Sequence, residues 1–164
     1  RKGETALHLA CAHAHGSDAI VRCMLSVLER TGPELPYLLA MRNYTGHTPV
    51  LAAASVGNAG ILHSLVHFGA DPNATDAASG NSAVHVAVER NDRDVLSQLI
   101  AANADLELEN MAGDTPMHIA ARRANVSVMR TLLSNGASEH RRNVADETPI
   151  HVFAEAVKLA RAAK

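Results

Sequence analysis

One seven-residue pattern returns five times along the 164-residue chain, as Glu4-Thr-Ala-Leu-His-Leu-Ala10, His47-Thr-Pro-Val-Leu-Ala-Ala53, Asn81-Ser-Ala-Val-His-Val-Ala87, Asp114-Thr-Pro-Met-His-Ile-Ala120 and Glu147-Thr-Pro-Ile-His-Val-Phe153. Its Thr or Ser falls at 5, 48, 82, 115 and 148, so successive intervals are 43, 34, 33 and 33 residues. A unit of this size cannot bury an apolar face by itself. It must stack on its neighbours, and stacked units make a solenoid.

Local chemistry says where each unit folds. Thr48, Ser82, Thr115 and Thr148 are N-cap residues whose side-chain oxygens can accept an orphan backbone N–H, and Pro49, Pro116 and Pro149 follow at the first helical position, where a missing N–H is harmless. Gly46, Gly80 and Gly113 precede the caps and supply a turn that needs positive φ. Asp146 stands in that place in the fifth unit. Second helices read as Ile61-Leu-His-Ser-Leu-Val66, Val95-Leu-Ser-Gln-Leu-Ile100 and Val128-Met-Arg-Thr-Leu-Leu133, each apolar on one face and stopped by Gly69, Asn103 or Gly136. Short extended fingers span 70–80, 104–113 and 137–146.

The intervals also mark insertions. The first unit is ten residues longer than the 33-residue period: two lie around Gly16-Ser17 and the rest around Arg30 to Tyr37. There the Gly32-Pro33 and Leu35-Pro36 steps are expected to end the helix and force a loop. The third finger has one extra residue at 77–80. The chain opens on a motif glycine and closes on 154–164, a shortened second-helix equivalent, so it reads as a piece of a longer protein.

The period and the Thr-Pro-x-His-x-Ala pattern resemble the ankyrin-repeat family over essentially the whole chain. The resemblance implies an all-α solenoid of about five helix-turn-helix repeats joined by β-hairpin-like fingers. As a single domain over 1–164, the repeats divide near 1–37, 38–70, 71–104, 105–137 and 138–164. It implies that His8, His85, His118 and His151 support the turns by hydrogen bonds to backbone and Thr groups. It also implies a concave surface, lined by fingers and helix-one ends, that grips proteins.

Composition agrees with close-packed helices, since aromatics are only 2% and the 47% hydrophobic share is carried by small and aliphatic residues. A net charge of −2 offers no field for nucleic acid. No apolar run is long enough to span a membrane. Cys11 and Cys23 cannot staple a fold of this size, so a reducing, cytoplasmic or nuclear compartment is expected. Chemistry is sparse. His63 and His67 sit at i, i+4 without a third ligand, and His13 and His15 beside Cys11 fare no better. Cys11 reads as a packed core residue. No catalytic constellation, cofactor site or metal site is expected, and the chain is read as a binding module and a monomer by itself.

The remaining candidates are the finger tips Arg42, Asn43, Tyr44, Asp76, Ala77, Asn110 and Met111, and the helix-one ends Ser55, Val56, Glu89, Arg90, Arg122 and Arg123. Arg141 and Arg142 complete a basic cluster that either meets an acidic partner or pairs with neighbouring fingers, Glu109 beside Arg142 and Glu107 beside His140. The finger tips and helix-one ends, chiefly Arg42, Tyr44, Asp76, Met111, Arg122 and Arg123, are expected to tolerate substitution with little loss of stability.

The longer third finger, the enlarged first repeat and the glycine-less Arg142-Asn-Val-Ala-Asp-Glu-Thr-Pro-Ile-His151 resemble the inhibitor-of-NF-κB branch, including its nuclear members. That resemblance implies an inhibitor or cofactor binding a Rel-type transcription factor dimer. The other reading is an adaptor domain of a larger scaffold or ubiquitin-ligase substrate receptor. Resemblance also marks Asn73 for asparaginyl hydroxylation, because Leu65, Asp71 and Asn73 stand at the spacing such enzymes recognise in ankyrin fingers.

Overall fold

The computed structural model describes residues 5–12 and 18–162. Glu4, His13, His15 and the Gly16-Ser17 turn lie outside them.

Capping places the helices within one residue of the expected starts. The helices are α1 (Ala6–Ala12), α2 (Asp18–Thr31), α3 (Leu35–Ala40), α4 (Pro49–Val56), α5 (Ala59–His67), α6 (Ala83–Arg90), α7 (Arg93–Ala101), α8 (Pro116–Arg122), α9 (Val126–Ser134) and α10 (Pro149–Ala162). Thr48 accepts from the Leu51 N–H at 3.4 Å, and Asn58, Asp92 and Asn125 cap α5, α7 and α9 in the same way. Gly57, Asn91 and Ala124, at φ of 83°, 55° and 50°, make the turn between the two helices of a repeat. Gly69, Asn103 and Gly136, also at positive φ, end the second helices as expected.

Two layers result. First helices α1, α4, α6, α8 and α10 pack in sequence, and α2, α5 and α7 pack in a second row. Between the layers lie Leu25, Leu51, Ile61, Leu62, Leu65, Leu96, Leu99, Met117 and Leu132, all essentially inaccessible. Ala52, Ala53, Ala54, Ala83, Ala87 and Ala120 are buried as well, and such small side chains let helices approach closely. Truncating any of these leucines to Ala would cost about 2–5 kcal/mol. No described helix is long and apolar enough to cross a membrane.

Three expectations need correction. The fingers are not β-hairpins: among the described residues there is no strand, only the isolated bridge between Thr75 and Ser82. The reason is chemical. Each finger closes with only two backbone hydrogen bonds: Asn43, Asp76, Asn110 and Asn143 donate to the carbonyls of His47, Asn81, Asp114 and Glu147, and accept in turn from the N–H of Gly46, Gly80, Gly113 and Asp146. The side chain of that same Asn or Asp then takes most of the other turn donors, so no ladder is needed. Asn43 Oδ1 accepts from Thr45 N–H, the Thr45 hydroxyl and His47 N–H.

The insertion after α2 is not all loop. α2 does end before Gly32-Pro33, but Leu35-Pro36 begins α3, with the proline inside the first turn where its ring is tolerated. The fifth repeat lacks the turn that would set off a second helix at 154–164. α10 runs unbroken for 14 residues, because Ala154 to Ala160 offers good helix formers and no Gly or Asn to adopt the left-handed turn.

Candidate functional site

The motif histidines are structural, and their protonation follows from geometry. Ser82 N–H donates to Nδ1 of His85 at 3.1 Å, so Nδ1 carries a lone pair and the proton is on Nε2. Nε2 donates to the Asp114 carbonyl of the next repeat at 2.9 Å. His118 repeats this with Thr115 and the Glu147 carbonyl, and His8 reaches the His47 carbonyl at 3.0 Å. Leu51 holds the histidine place in the second repeat, so repeats two and three lack this tie. Burial lowers the pKa of His85, partly offset by the Asp114 carbonyl and the charges of Asp114 and Asp76.

His63 and His67 stack at 6.5 Å between ring centroids, and His63 Nδ1 shares a hydrogen bond with Gln98. Among the described residues no group of three or more His, Cys, Asp or Glu is placed to hold a metal. Cys11 is fully buried.

Many of the expected contact residues are occupied by the protein itself. Asn43 and Asn110 organise their own turns. Asp76 is buried and accepts from Ala78 N–H, Ser79 N–H, the Ser79 hydroxyl and Asn81 N–H, which is how the third finger accommodates its extra residue. Desolvation pushes its carboxyl upward, but the bonds from Ser79, Ala78 and Asn81 hold it below its ordinary value. Ser55 donates to the Ala52 carbonyl.

The basic cluster pairs internally. Arg122 meets Asp114 at 2.7 Å, Arg123 meets Glu89 at 3.0 Å, Arg141 meets Glu107 at 3.0 Å and Arg142 meets Asp146 at 3.0 Å. Cross-finger pairing was legible in the sequence, but its partners were not. Arg141, rather than Arg142 or His140, takes Glu107 and approaches Glu109. Arg142 turns back onto its own finger, donating to the Asp146 carbonyl at 2.7 Å. Arg42 does the equivalent with Gly46, and also reaches the Thr75 carbonyl.

What the fold leaves free is a column of apolar tips. The residue after each turn-forming Asn or Asp is Tyr44, Ala77, Met111 or Val144, and all are exposed, Tyr44 at 71%, Met111 at 67% and Val144 at 79%. Val144 was missing from the sequence-based set, although this finger alignment reveals it. Consecutive tips touch. Met111 N–H donates to the Ser79 carbonyl and Val144 N–H to the Ala112 carbonyl, and a Cβ at Gly113 would stand 2.7 Å from the Val144 nitrogen. At the helix-one ends, Arg90 is exposed and Val56 half-exposed.

Comparison with known proteins places this geometry. The family model "Ankyrin repeats (3 copies)" matches residues 1–76 and 50–143. The solved ankyrin repeat domain of Bcl-3, described as a unique member of the IκB protein family, superposes with a TM-score of 0.84 at 31% identity, covering 98% of this chain and 69% of that one. NF-κB inhibitor cactus of Drosophila yakuba is 32% identical over 131 residues, 66% of this chain and 26% of that protein. Human B-cell lymphoma 3 protein is 36% identical over 91 residues, 56% of this chain and 19% of its own length. A Notch 1 homologue of Danio rerio is 31% identical over 134 residues, 67% of this chain and 6% of its own. The chain thus spans about a quarter of the length of the cactus proteins it matches. The ankyrin-repeat fold is one of protein interaction. With its motifs, paired helices and stacked fingers matched in this way, the chain belongs to the ankyrin-repeat family and is homologous to the IκB and Bcl-3 branch within it.

Proposed function

We propose that the chain is the partner-binding domain of an IκB-type inhibitor or cofactor, working in the cytoplasm or nucleus on a Rel-type transcription factor dimer. The observation that carries the surface assignment is the exposed apolar column of Tyr44, Ala77, Met111 and Val144, which the fold does not need for its own stability. The likeness to Bcl-3 and cactus supplies the class of partner. Aromatic and Met side chains are enriched at interface centres, and a few such anchors dominate binding. Val56, Glu89 and Arg90 extend the surface from the helix-one ends. Arg122, Arg123, Arg141 and Arg142 border it as internally paired charges.

The test is calorimetric titration with a Rel-homology dimer, using the unmodified chain and the triple variant Tyr44→Ala, Met111→Ala, Val144→Ala. Truncating the anchors should weaken binding by at least about 2 kcal/mol, roughly thirtyfold, with thermal unfolding unchanged. Equal binding by both proteins would remove the column from the interface. If the unmodified chain ignores the dimer, the adaptor reading takes its place, a reading favoured by the comparable identity to the Notch homologue.

A further inference from the structure

We infer that the groove between α3 and the start of the third repeat is a subsite for a carboxylate side chain of the bound protein, held by Arg42, the Asp71 N–H and the Thr48 hydroxyl. The inference deepens the protein-binding reading and rests on it. The groove holds about 250 Å³ and is lined on one side by Pro36, Leu39 and Ala40.

Its donors lack the acceptors that neighbouring repeats provide. In repeats three and four, a finger side chain accepts a backbone N–H from the repeat that follows: Asn73 Oδ1 takes the Asp105 N–H at 2.8 Å, and Glu107 Oε1 takes the Ser138 N–H at 2.7 Å. The same register puts Ala40 opposite Asp71. A methyl group accepts nothing, and among the described residues the Asp71 N–H has no acceptor.

Thr48 is in the same condition. In the other described repeats the Thr or Ser hydroxyl meets Nδ1 of the motif histidine. Here Leu51 replaces that histidine, so the nearly buried Thr48 oxygen accepts from Leu51 N–H while its own proton has no acceptor among the described residues. Arg42 completes the set. Its counterpart Arg142 is neutralised by Asp146, whereas Gly46 in the corresponding place leaves Arg42 bonded to carbonyls and in no ion pair among the described residues. The Asp71 carboxylate lines the groove too, with Oδ1 accepting the Asn73 N–H.

A guanidinium, a hydroxyl and an amide donor on one groove match the two oxygens of a carboxylate, and charge-assisted bonds are the strong ones. The aliphatic wall accommodates the stem of Glu. Glu107 already shows the arrangement within the chain, since its carboxylate takes both the Ser138 N–H and the Arg141 guanidinium.

The experiment is an amide-resolved NMR titration of the whole chain with the capped peptide acetyl-Ala-Leu-Glu-Leu-Ala-amide and its Gln counterpart. The Asp71 amide should shift saturably with the Glu peptide only, and Arg42→Gln should weaken that response at least about tenfold, as expected for loss of a charge-assisted bond. Ala40→Glu supplies the acceptor from within. It should slow Asp71 amide exchange about tenfold and abolish the peptide response. Equal shifts with the two peptides, or no Asp71 shift with either, would overturn the inference, and the titration decides even if Ala40→Glu does not fold. Neither arm uses the Rel dimer. A chain that binds the Glu peptide and ignores the dimer keeps this subsite and loses only the proposed partner.

Discussion

The guanidinium of Arg122 lies 2.7 Å from the carboxylate of Asp114, whose side chain is only 4% exposed while that of Arg122 is 51% exposed. The other Asp114 oxygen accepts from the Asn143 amide at 2.9 Å. Arg122 is therefore a structural residue, contrary to the expectation that it tolerates change. Arg122→Ala leaves a buried carboxylate half-satisfied and should cost about 1–3 kcal/mol. Arg123→Ala breaks a pair exposed on both sides and should cost less than about 0.5 kcal/mol. Urea unfolding of the two variants checks this, and equal costs would contradict it.

Ala124 occupies at φ 50° the turn position filled elsewhere by Gly57 and Asn91. Ala124→Gly should stabilise the protein by about 0.5–1 kcal/mol by relieving a left-handed conformation that costs a residue with a Cβ roughly 1–2 kcal/mol. Gly113→Ala should do the reverse and more, because its new Cβ meets the Val144 backbone. Thermal unfolding should move in opposite directions for the two variants.

Stability should fall on acidification in two steps. The pKa of His85 is lowered when folded, so below about 6.5 the unfolded chain takes up a proton that the folded chain resists. Asp76 is lowered from 3.8, so its contribution is full above that value and disappears as pH falls through its folded pKa. Urea midpoints between pH 7 and 5 should therefore decline. His85→Leu, which copies Leu51, should flatten that slope. An unchanged slope would remove His85 as its source.

Burial pushes the Cys11 thiol up to about 12, whereas Cys23 is exposed on α2. Only the thiolate is nucleophilic. Maleimide should label Cys23 in the native chain and reach Cys11 only after unfolding. Equal native labelling of both would contradict the placement of Cys11.

For Asn73 we propose hydroxylation, with a structural condition attached. Its N–H donates to Asp71 Oδ1 and its Oδ1 accepts from Asp105, both at 2.8 Å, so an enzyme that needs an extended segment must first open the finger. Treatment with an asparaginyl hydroxylase should add oxygen to the peptide containing Asn73, and faster in low urea. Peptide mass spectrometry showing no added oxygen under either condition rejects the assignment.

Helix starts were legible because caps, prolines and positive-φ residues act within a few positions of where they stand. Pro36 misled because one residue type both ends a helix and begins another, and only the packing of Leu35 and Leu39 decides which. Asn43, Asp76 and Asn110 looked like variable surface residues because a side chain that closes its own turn carries the same letter as one that waits for a partner. The arginines were similarly opaque. Whether Arg141 or Arg142 faces Glu107 depends on how adjacent fingers splay, and that is set in three dimensions.

The leucine at position 51 reaches further than its own repeat. In a linear array each unit is coupled only to the next, so resistance to partial opening is set by the weakest coupling. Histidine ties join repeats one to two, three to four and four to five, and none joins two to three. Across that seam the polar links that remain include Arg42 to Thr75 and His63 to Gln98, both exposed. The seam between repeats two and three therefore rests on the packing of α4 against α6 and α5 against α7, without the buried polar tie that the other seams have. An acidic residue clasped by Arg42 and Asp71 would supply from outside a polar link between repeats two and three, in place of the tie that Leu51 cannot make.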